Sequence, residues 1–338
     1  MKTAESVSPR HPDKLCDQIS DRILDHCLKA DPYTRAAIET MGGHGELYIT
    51  GELTTKADTD EMTLYGLVSD IVGPNMPVIF NLVVQSPEIA QGVDTGGAGD
   101  QGIMIGYATS ETKNYMPLEY ELARNLNSIL YSHYGTDGKT QVTLTDDNAI
   151  YAVVASFQGA AAEDIRTHIL EWLEGKLAVP IPKIYANPAG DWNQGGFDAD
   201  AGLTGRKLAV DNYGPAIPIG GGAFSGKDAT KVDRSAAYFA RAVAVTELER
   251  RIAEGGTPAS VMVRVAYAIG MAEPLEATAI IDDGVDTYLE DISDRYDFTP
   301  QGIIKQLDLR TPQFEECAAF GHFGMDRKWD RPINREGE

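Results

Sequence analysis

Apolar residues recur at three- and four-residue steps through Leu15, Ile19, Ile23, Leu24, Cys27 and Leu28, which predicts an amphipathic helix starting after His11-Pro12-Asp13. Pro12 suits its first turn, and Asp31-Pro32 ends it. Strand patterns follow over residues 36–40 and 47–54, where Tyr48 and Thr50 alternate with Leu47 and Ile49; residues 78–84 read as a more buried strand. Helical spacing returns over residues 117–134 through Leu118, Leu122, Leu126, Ile129 and Leu130. Residues 141–145 and 149–157 flank Asp146-Asp147-Asn148 and predict a hairpin. Beyond it the pattern predicts helices over 163–177, 233–252 and 299–307, and strands over 183–187, 207–211 and 261–268.

No fixed-period repeat is visible. Strands come in pairs with a helix after them, which points to α+β layers rather than a regular βαβ alternation. Three such units fit 338 residues, with boundaries expected in irregular stretches, giving segments 1–100, 101–192 and 193–330. Residues 92–106 and 220–226 are glycine-rich loops in this reading.

Composition narrows the class. Apolar residues are 43% and charged residues 24%, ordinary for a soluble chain and too apolar for wholesale disorder. The formal charge of −22 argues against a nucleic-acid or anionic-membrane binder, which needs a basic footprint. Neither a signal peptide nor a membrane span is expected. Cys16, Cys27 and Cys317 have no CxxC spacing. On one helix Cys16 and Cys27 would stand ~16 Å apart, too far to bridge, so reduced thiols and a cytoplasmic location are expected.

In so acidic a chain, clustered cations need a reason. Arg206-Lys207 follow Gly205, and Lys227 and Lys231 follow the glycines of 220–226. The Gly-Gly-Gly-Ala-Phe-Ser-Gly run can turn backbone N–H groups toward an anion, the next helix offers its positive N-terminus, and lysines four apart share a helical side. Together they describe a polyphosphate cradle, although a plain glycine-rich loop with solvated lysines has the same composition. Residues 221–227 also fit the G-x-x-x-x-G-K spacing. Asp228 then stands where a Ser or Thr should hold Mg²⁺, and two prolines spoil the strand that should precede it. Asp13 and Asp233 each sit at a helix start, a position that suits either a charge near the helix dipole or a carboxylate holding nucleotide-bound Mg²⁺. His11 beside Asp13 and Lys14 could donate a hydrogen bond to a leaving oxygen, or serve the helix entry alone.

The segments His11-Pro12-Asp13-Lys14, Gly97-Ala98-Gly99-Asp100-Gln101-Gly102 and Gly220-Gly221-Gly222-Ala223-Phe224-Ser225-Gly226-Lys227-Asp228 together resemble the methionine adenosyltransferase (S-adenosylmethionine synthase) family. Further matches, in order along the chain, include Glu39-Thr40, Gly51-Glu52, Gln85-Ser86-Pro87, residues 202–207, Lys231-Val232-Asp233-Arg234-Ser235 and Gly321-His322-Phe323-Gly324. The resemblance implies three similar α+β domains related by pseudo-threefold symmetry. It implies a transferase that joins ATP and L-methionine by attack of sulfur on C5′, with the released triphosphate cleaved to pyrophosphate and phosphate.

Residue by residue, the resemblance puts His11 at the oxygen between ribose and triphosphate. Two Mg²⁺ would sit on Asp13 and Asp233, and K⁺ on Glu39. Glu52 and Gln85 would contact methionine, with Asp200 and Lys231 near both substrates. Lys139, Arg206, Lys207 and Lys227 would bind the polyphosphate, Ala223 would line the nucleotide site, and Asp100 would lie at the adenosine. His11, Arg206, Lys227 and Lys231 would be the catalytic set. The partners implied are a second copy of the chain, with active sites at the dimer interface, and in some members a dimer of such dimers. Asp191 and Ile219 depart from the family pattern, and the loop from Gly92 to Gly97 is shorter. The alternative from another class is a nucleotide-binding or triphosphate-hydrolysing relative without synthase activity.

Overall fold

His11 caps the first helix, α1 (Pro12–Ala30), whose apolar stripe lies against a sheet and whose last turn is closed by the Asp31 N–H donating to the Cys27 carbonyl. The computed structural model describes residues 1–85, 96–174, 176 and 181–333. A strand precedes the helix, β1 (Lys2–Val7), and β2 (Arg35–Gly43), β3 (Glu46–Thr54), α2 (Glu61–Val72) and β4 (Val78–Val83) follow it. Next come β5 (Gly102–Thr109), α3 (Leu118–Tyr134), β6 (Gly138–Leu144), β7 (Ile150–Phe157), α4 (Ala162–Leu173) and β8 (Lys183–Ala186). The remainder is β9 (Gly202–Leu203), the one-turn α5 (Leu208–Asp211), α6 (Val232–Ala253), β10 (Ser260–Tyr267), β11 (Glu276–Asp282), β12 (Thr287–Asp291) and α7 (Pro300–Leu307).

These strands form three four-stranded sheets, ordered β4-β3-β2-β9, β8-β7-β6-β1 and β12-β11-β10-β5. Each is a long helix followed by a hairpin: α1 leads into β2-β3, α3 into β6-β7 and α6 into β10-β11. In the first two a short helix then returns the chain as a parallel strand, β4 or β8; in the third, β12 returns antiparallel. An edge strand from elsewhere completes each sheet, and each long helix packs on that strand and its neighbour: α1 on β9 and β2, α3 on β1 and β6, α6 on β5 and β10. This is the expected threefold similarity in a layered α+β fold. The edge strands come from sequence-distant segments, so β1 from the N-terminus seals the second sheet and β9 seals the first.

Several expectations change. Residues 78–84 are not a buried strand: β4 is a sheet edge, and Ile79 and Val83 stand on an uncovered face. Residues 207–211 form the helical turn α5 rather than a strand, closed by the Asp211 N–H on the Lys207 carbonyl (2.8 Å). The loop expected over 92–106 gives way to β5 at Gly102; its residues 92–95 lie outside the described ones. Strand β1, helix α2 and strands β11 and β12 are additional to the expected elements. Among the described residues no helix is long and apolar enough to cross a membrane. The three cysteines are free and buried.

Helix α6 runs through the core and is buried on nearly all sides. Its Glu247 is buried, accepts from Tyr296 Oη (2.7 Å) and pairs with Arg250 (2.8 Å) and Arg251. Burial works to raise its pKa, but the hydrogen bonds from Arg250, Arg251 and Tyr296 outweigh it and hold the carboxyl at about 2. A depressed carboxylate contributes stability that is complete above its unfolded value, about 4.3, and is lost as pH falls through the folded one. We expect the melting temperature to drop between about pH 4.5 and about pH 2. Glu247→Gln should be less stable at neutral pH and show a shallower drop, and thermal melts across that range check it. Superimposable slopes would count against this role.

Candidate active site

The N-terminus of α1 is built around His11. Its Nδ1 accepts the Asp13 N–H (3.2 Å), so the neutral ring carries its proton on Nε2. Burial pushes the imidazole down to about 3, reinforced by the Lys207 and Lys139 charges and opposed by those of Asp13 and Asp200. Asp13 is fully buried in the first turn of α1; its Oδ1 accepts the Leu203 N–H (2.9 Å) and lies 3.2 Å from Arg206 Nε, and its Oδ2 takes the Lys207 ammonium. Burial would raise this carboxyl, yet the Lys207 and Leu203 hydrogen bonds hold it below its ordinary value. So the sequence-predicted His11, Asp13, Arg206 and Lys207 meet, with Lys139 on β6 and Asp200 acting electrostatically on the same imidazole. The two-residue strand β9 is what brings Arg206 and Lys207 to Asp13: it pairs with β2 at Met41 and Gly42.

The second cluster lies at the start of α6. Lys227 Nζ donates to Asp233 Oδ2 (2.6 Å), and Lys231 Nζ donates to Asp228 Oδ2 (2.6 Å). The two lysines therefore do not share a helical side as their spacing suggested: Lys231 is the N-cap position of α6 and Lys227 lies before it, each on its own carboxylate. The loop before them is seated against backbone. Gly226 has φ +81°, and a Cβ there would come within 2.0 Å of the Ile38 carbonyl oxygen. A Cβ on Gly205 would come within 2.5 Å of the Ala223 Cβ, so the two glycine loops touch and Ala223 faces the first cluster's loop. We expect Gly226→Ala to bind inorganic tripolyphosphate at least about tenfold more weakly, because the loop must leave its seat and carry Lys227 with it. Calorimetric titration checks this; an unchanged affinity would sink the seating argument.

The remaining predicted residues are spread along the first sheet and its surroundings. Glu39 on β2 is half-buried; burial raises its pKa and Lys227 opposes the rise. Glu52 on β3 is registered with Ala37, which also bridges to Lys227, so Glu39, Glu52 and Lys227 share one part of the sheet. Gln85 follows the end of β4; its N–H donates to Thr54 Oγ1 (3.1 Å), and its buried Oε1 has no hydrogen-bond partner among the described residues. Asp100 is exposed, its Oδ1 taken by the Gln101 N–H (2.7 Å), and among the described residues no hydrogen bond or ion pair joins it to either cluster. Ser86 and Pro87 lie outside the described residues, as do Gly92 to Asp94. The departures have structural explanations in part: Asp191 Oδ1 accepts the Ala162 N–H (2.9 Å) and caps α4. His322 is buried and structural, its Nδ1 2.7 Å from Tyr238 Oη and its ring edge-on to Phe224.

Sequence reading missed three further aspartates. Asp17, Asp21 and Asp25 continue Asp13 at four-residue steps along α1 and all are buried. The spacing itself was the available signal, since four acids on one helical face beside an apolar stripe call for partners.

The donor set suits a hard cation bound through substrate. Among the described residues no three His, Cys, Asp or Glu side chains gather as an all-protein cage. Asp13 and Asp233 instead each offer one carboxylate already drawing cations, as Mg²⁺ requires when phosphate oxygens and water complete its shell.

A neutral imidazole, carboxylates and four basic side chains gathered at two touching loops suit a multiply charged anion, carried on a three-sheet α+β scaffold. The chain belongs to the S-adenosylmethionine synthetase family. Residues 1–73 match that family's N-terminal domain, 95–192 its central domain and 194–331 its C-terminal domain. Among curated proteins it is similar to the S-adenosylmethionine synthase of Brachyspira hyodysenteriae, 41% identical over 96% of this chain and 93% of that one. The S-adenosylmethionine synthase of Oenococcus oeni is also 41% identical, over 97% of this chain and 95% of its own. That of Staphylococcus epidermidis is 40% identical over 95% and 92%.

Proposed function

We infer that the chain is a methionine adenosyltransferase, forming S-adenosylmethionine from ATP and L-methionine and cleaving the released triphosphate to pyrophosphate and phosphate. The observation that carries this reading is the meeting of His11, Asp13, Arg206 and Lys207 at the start of α1, one loop contact away from Lys227 and Asp233. A thioether needs no deprotonation, so the first step calls for alignment and for stabilising charge on the departing triphosphate, not for a base. His11, neutral with its proton on Nε2, donates a hydrogen bond to the leaving oxygen rather than a proton. Arg206, Lys207, Lys139 and Lys227 take the phosphate oxygens, and Lys231 with Asp200 orients the two substrates. Ala223 and Asp100 border the nucleotide, and Glu52 and Gln85 receive methionine.

Asp13 and Asp233 would each hold one Mg²⁺, which supplies Lewis-acid neutralisation of the triphosphate, and Glu39 would hold K⁺. Substrate binding would then exchange Lys207 and Lys227 from these carboxylates onto phosphate. Segments 1–100, 101–192 and 193–330 serve as the three domains of sequence, each sheet borrowing an edge strand from another. The outward face of the first sheet exposes Met41, Ile79 and Val83 beside Glu39 and Glu52, which supports a homodimer with the site at its interface. Free buried thiols suit a cytoplasmic location.

The test is mass spectrometry of reactions with ATP, Mg²⁺ and K⁺, with and without L-methionine. S-adenosylmethionine with pyrophosphate and phosphate only when methionine is present is expected. Phosphate release without the sulfonium product would instead mark a triphosphate-hydrolysing relative.

A further inference from the structure

The four aspartates of α1 point along one face at about 6 Å intervals, and each accepts from backbone N–H groups of sequence-distant segments. Asp13 takes Leu203 (2.9 Å), Asp17 takes Gly205 (2.8 Å) and Asp21 takes Gly226 (2.9 Å). Asp25 takes Gln313 (3.0 Å), Phe314 (2.9 Å) and Glu315 (2.9 Å). The middle two rungs land on the residues immediately before Arg206-Lys207 and before Lys227. No side chain of Asp17 or Asp21 faces the anion site directly: both are fully buried, Asp17 beside Lys14 (3.0 Å) and Asp21 in a two-pronged pair with Arg234 (2.7 and 2.6 Å).

Resting on the synthase reading above, we propose that Asp17 and Asp21 are positioning residues, which set the spacing of the two cation-bearing loops by holding the Gly205 and Gly226 amides about one turn apart on one rigid helix. A glycine loop has the least intrinsic preference of any segment for one conformation, so Arg206, Lys207 and Lys227 would otherwise sample many arrangements before meeting a triphosphate. Backbone anchoring removes that freedom without spending any of the cations. It also explains why acids lie so close behind an anion site: their charge is taken up by Lys14, Arg234 and the amides. Asp17 is the more tractable of the two, because Lys14 keeps a second carboxylate, Asp211 Oδ1 at 2.5 Å, if Asp17 is replaced.

The test compares Asp17→Leu, which cannot accept from Gly205, with Asp17→Asn, which keeps an acceptor oxygen. Inorganic tripolyphosphate binding is measured by calorimetry and steady-state constants by product formation. Asp17→Leu should raise the tripolyphosphate Kd and the KM for ATP about tenfold or more with the KM for methionine little changed, and Asp17→Asn should recover to within about threefold. Asp25→Asn is the control: its loop carries none of the cations, so it should lower the melting temperature and leave the KM for ATP alone. If Asp17→Leu does not fold, Asp17→Ser, too short to reach the amide, takes its place with the same expectation. Unchanged tripolyphosphate affinity in a folded variant, or equal damage from Leu and Asn, overturns the proposal. The two readings separate cleanly: wild-type protein that binds tripolyphosphate yet forms no S-adenosylmethionine refutes the synthase, while the Asp17 comparison still decides the positioning.

Discussion

Replacing Lys231 with methionine will lower S-adenosylmethionine formation by about two to three orders of magnitude while the fold stays in place. The side chain keeps its stem but loses the ammonium that the proposed mechanism places between the substrates. The fold tolerates the loss because Asp228, the partner of Lys231 in the free protein, is satisfied by other donors. Its Oδ2 also accepts the Ala36 N–H (2.8 Å) and its Oδ1 the Thr230 N–H (2.8 Å). Losing one of several donors to a buried carboxylate costs about 1–3 kcal/mol. Initial rates by product mass spectrometry, paired with a melting curve, separate the two effects. Near-normal turnover in a folded variant would refute the assigned role.

Asp21→Ala should be the most destabilising single change considered, at about 3–5 kcal/mol, because it strands a guanidinium in the core. Arg234 is fully buried at the start of α6, and Asp21 is its only carboxylate partner among the described residues. The guanidinium also donates to the Lys227 carbonyl (2.9 Å) and stacks 4.2 Å from the Phe314 ring centre. Those contacts orient it but cannot neutralise it. The double variant Asp21→Leu/Arg234→Met should lose less than Asp21→Ala, since removing both charges leaves none uncompensated. Denaturant unfolding of the single and double variants measures this. A cost under about 1 kcal/mol for Asp21→Ala would mean that water reaches the site.

The helix α1 was legible because a stripe of Leu, Ile and Cys at helical spacing has one reading, and the hairpin β6-β7 because Asp146-Asp147-Asn148 interrupts two alternating runs. Less local elements were not. The glycines at the start of strand β5 suggest a loop by composition, whereas Gly106 lies against the Ala240 backbone of α6, with a would-be Cβ 2.0 Å from its carbonyl oxygen. β9 is two residues long and exists only because β2 offers an edge to pair with. α5 carries four residues whose strand-like pattern is overridden by Asp211 reaching Lys14 (2.5 Å). In the site, residue types and order were legible, and through the family resemblance so were the roles proposed for them.

What sequence alone determined is the inventory: two glycine-flanked cation clusters in a chain of −22, a His-Pro-Asp helix start, and enough paired strand and helix pattern for α+β layers. Each of these depends on near neighbours in the chain, where spacing and side-chain chemistry suffice. The tertiary structure decided the partners. It paired β1 with β6 and β5 with β10 across more than a hundred residues, gave Lys227 to Asp233 and Lys231 to Asp228, and aimed Asp17 and Asp21 at loops some two hundred residues away. Such choices follow from which buried charges and backbone groups must be satisfied once the layers pack, a condition that no stretch of sequence states by itself.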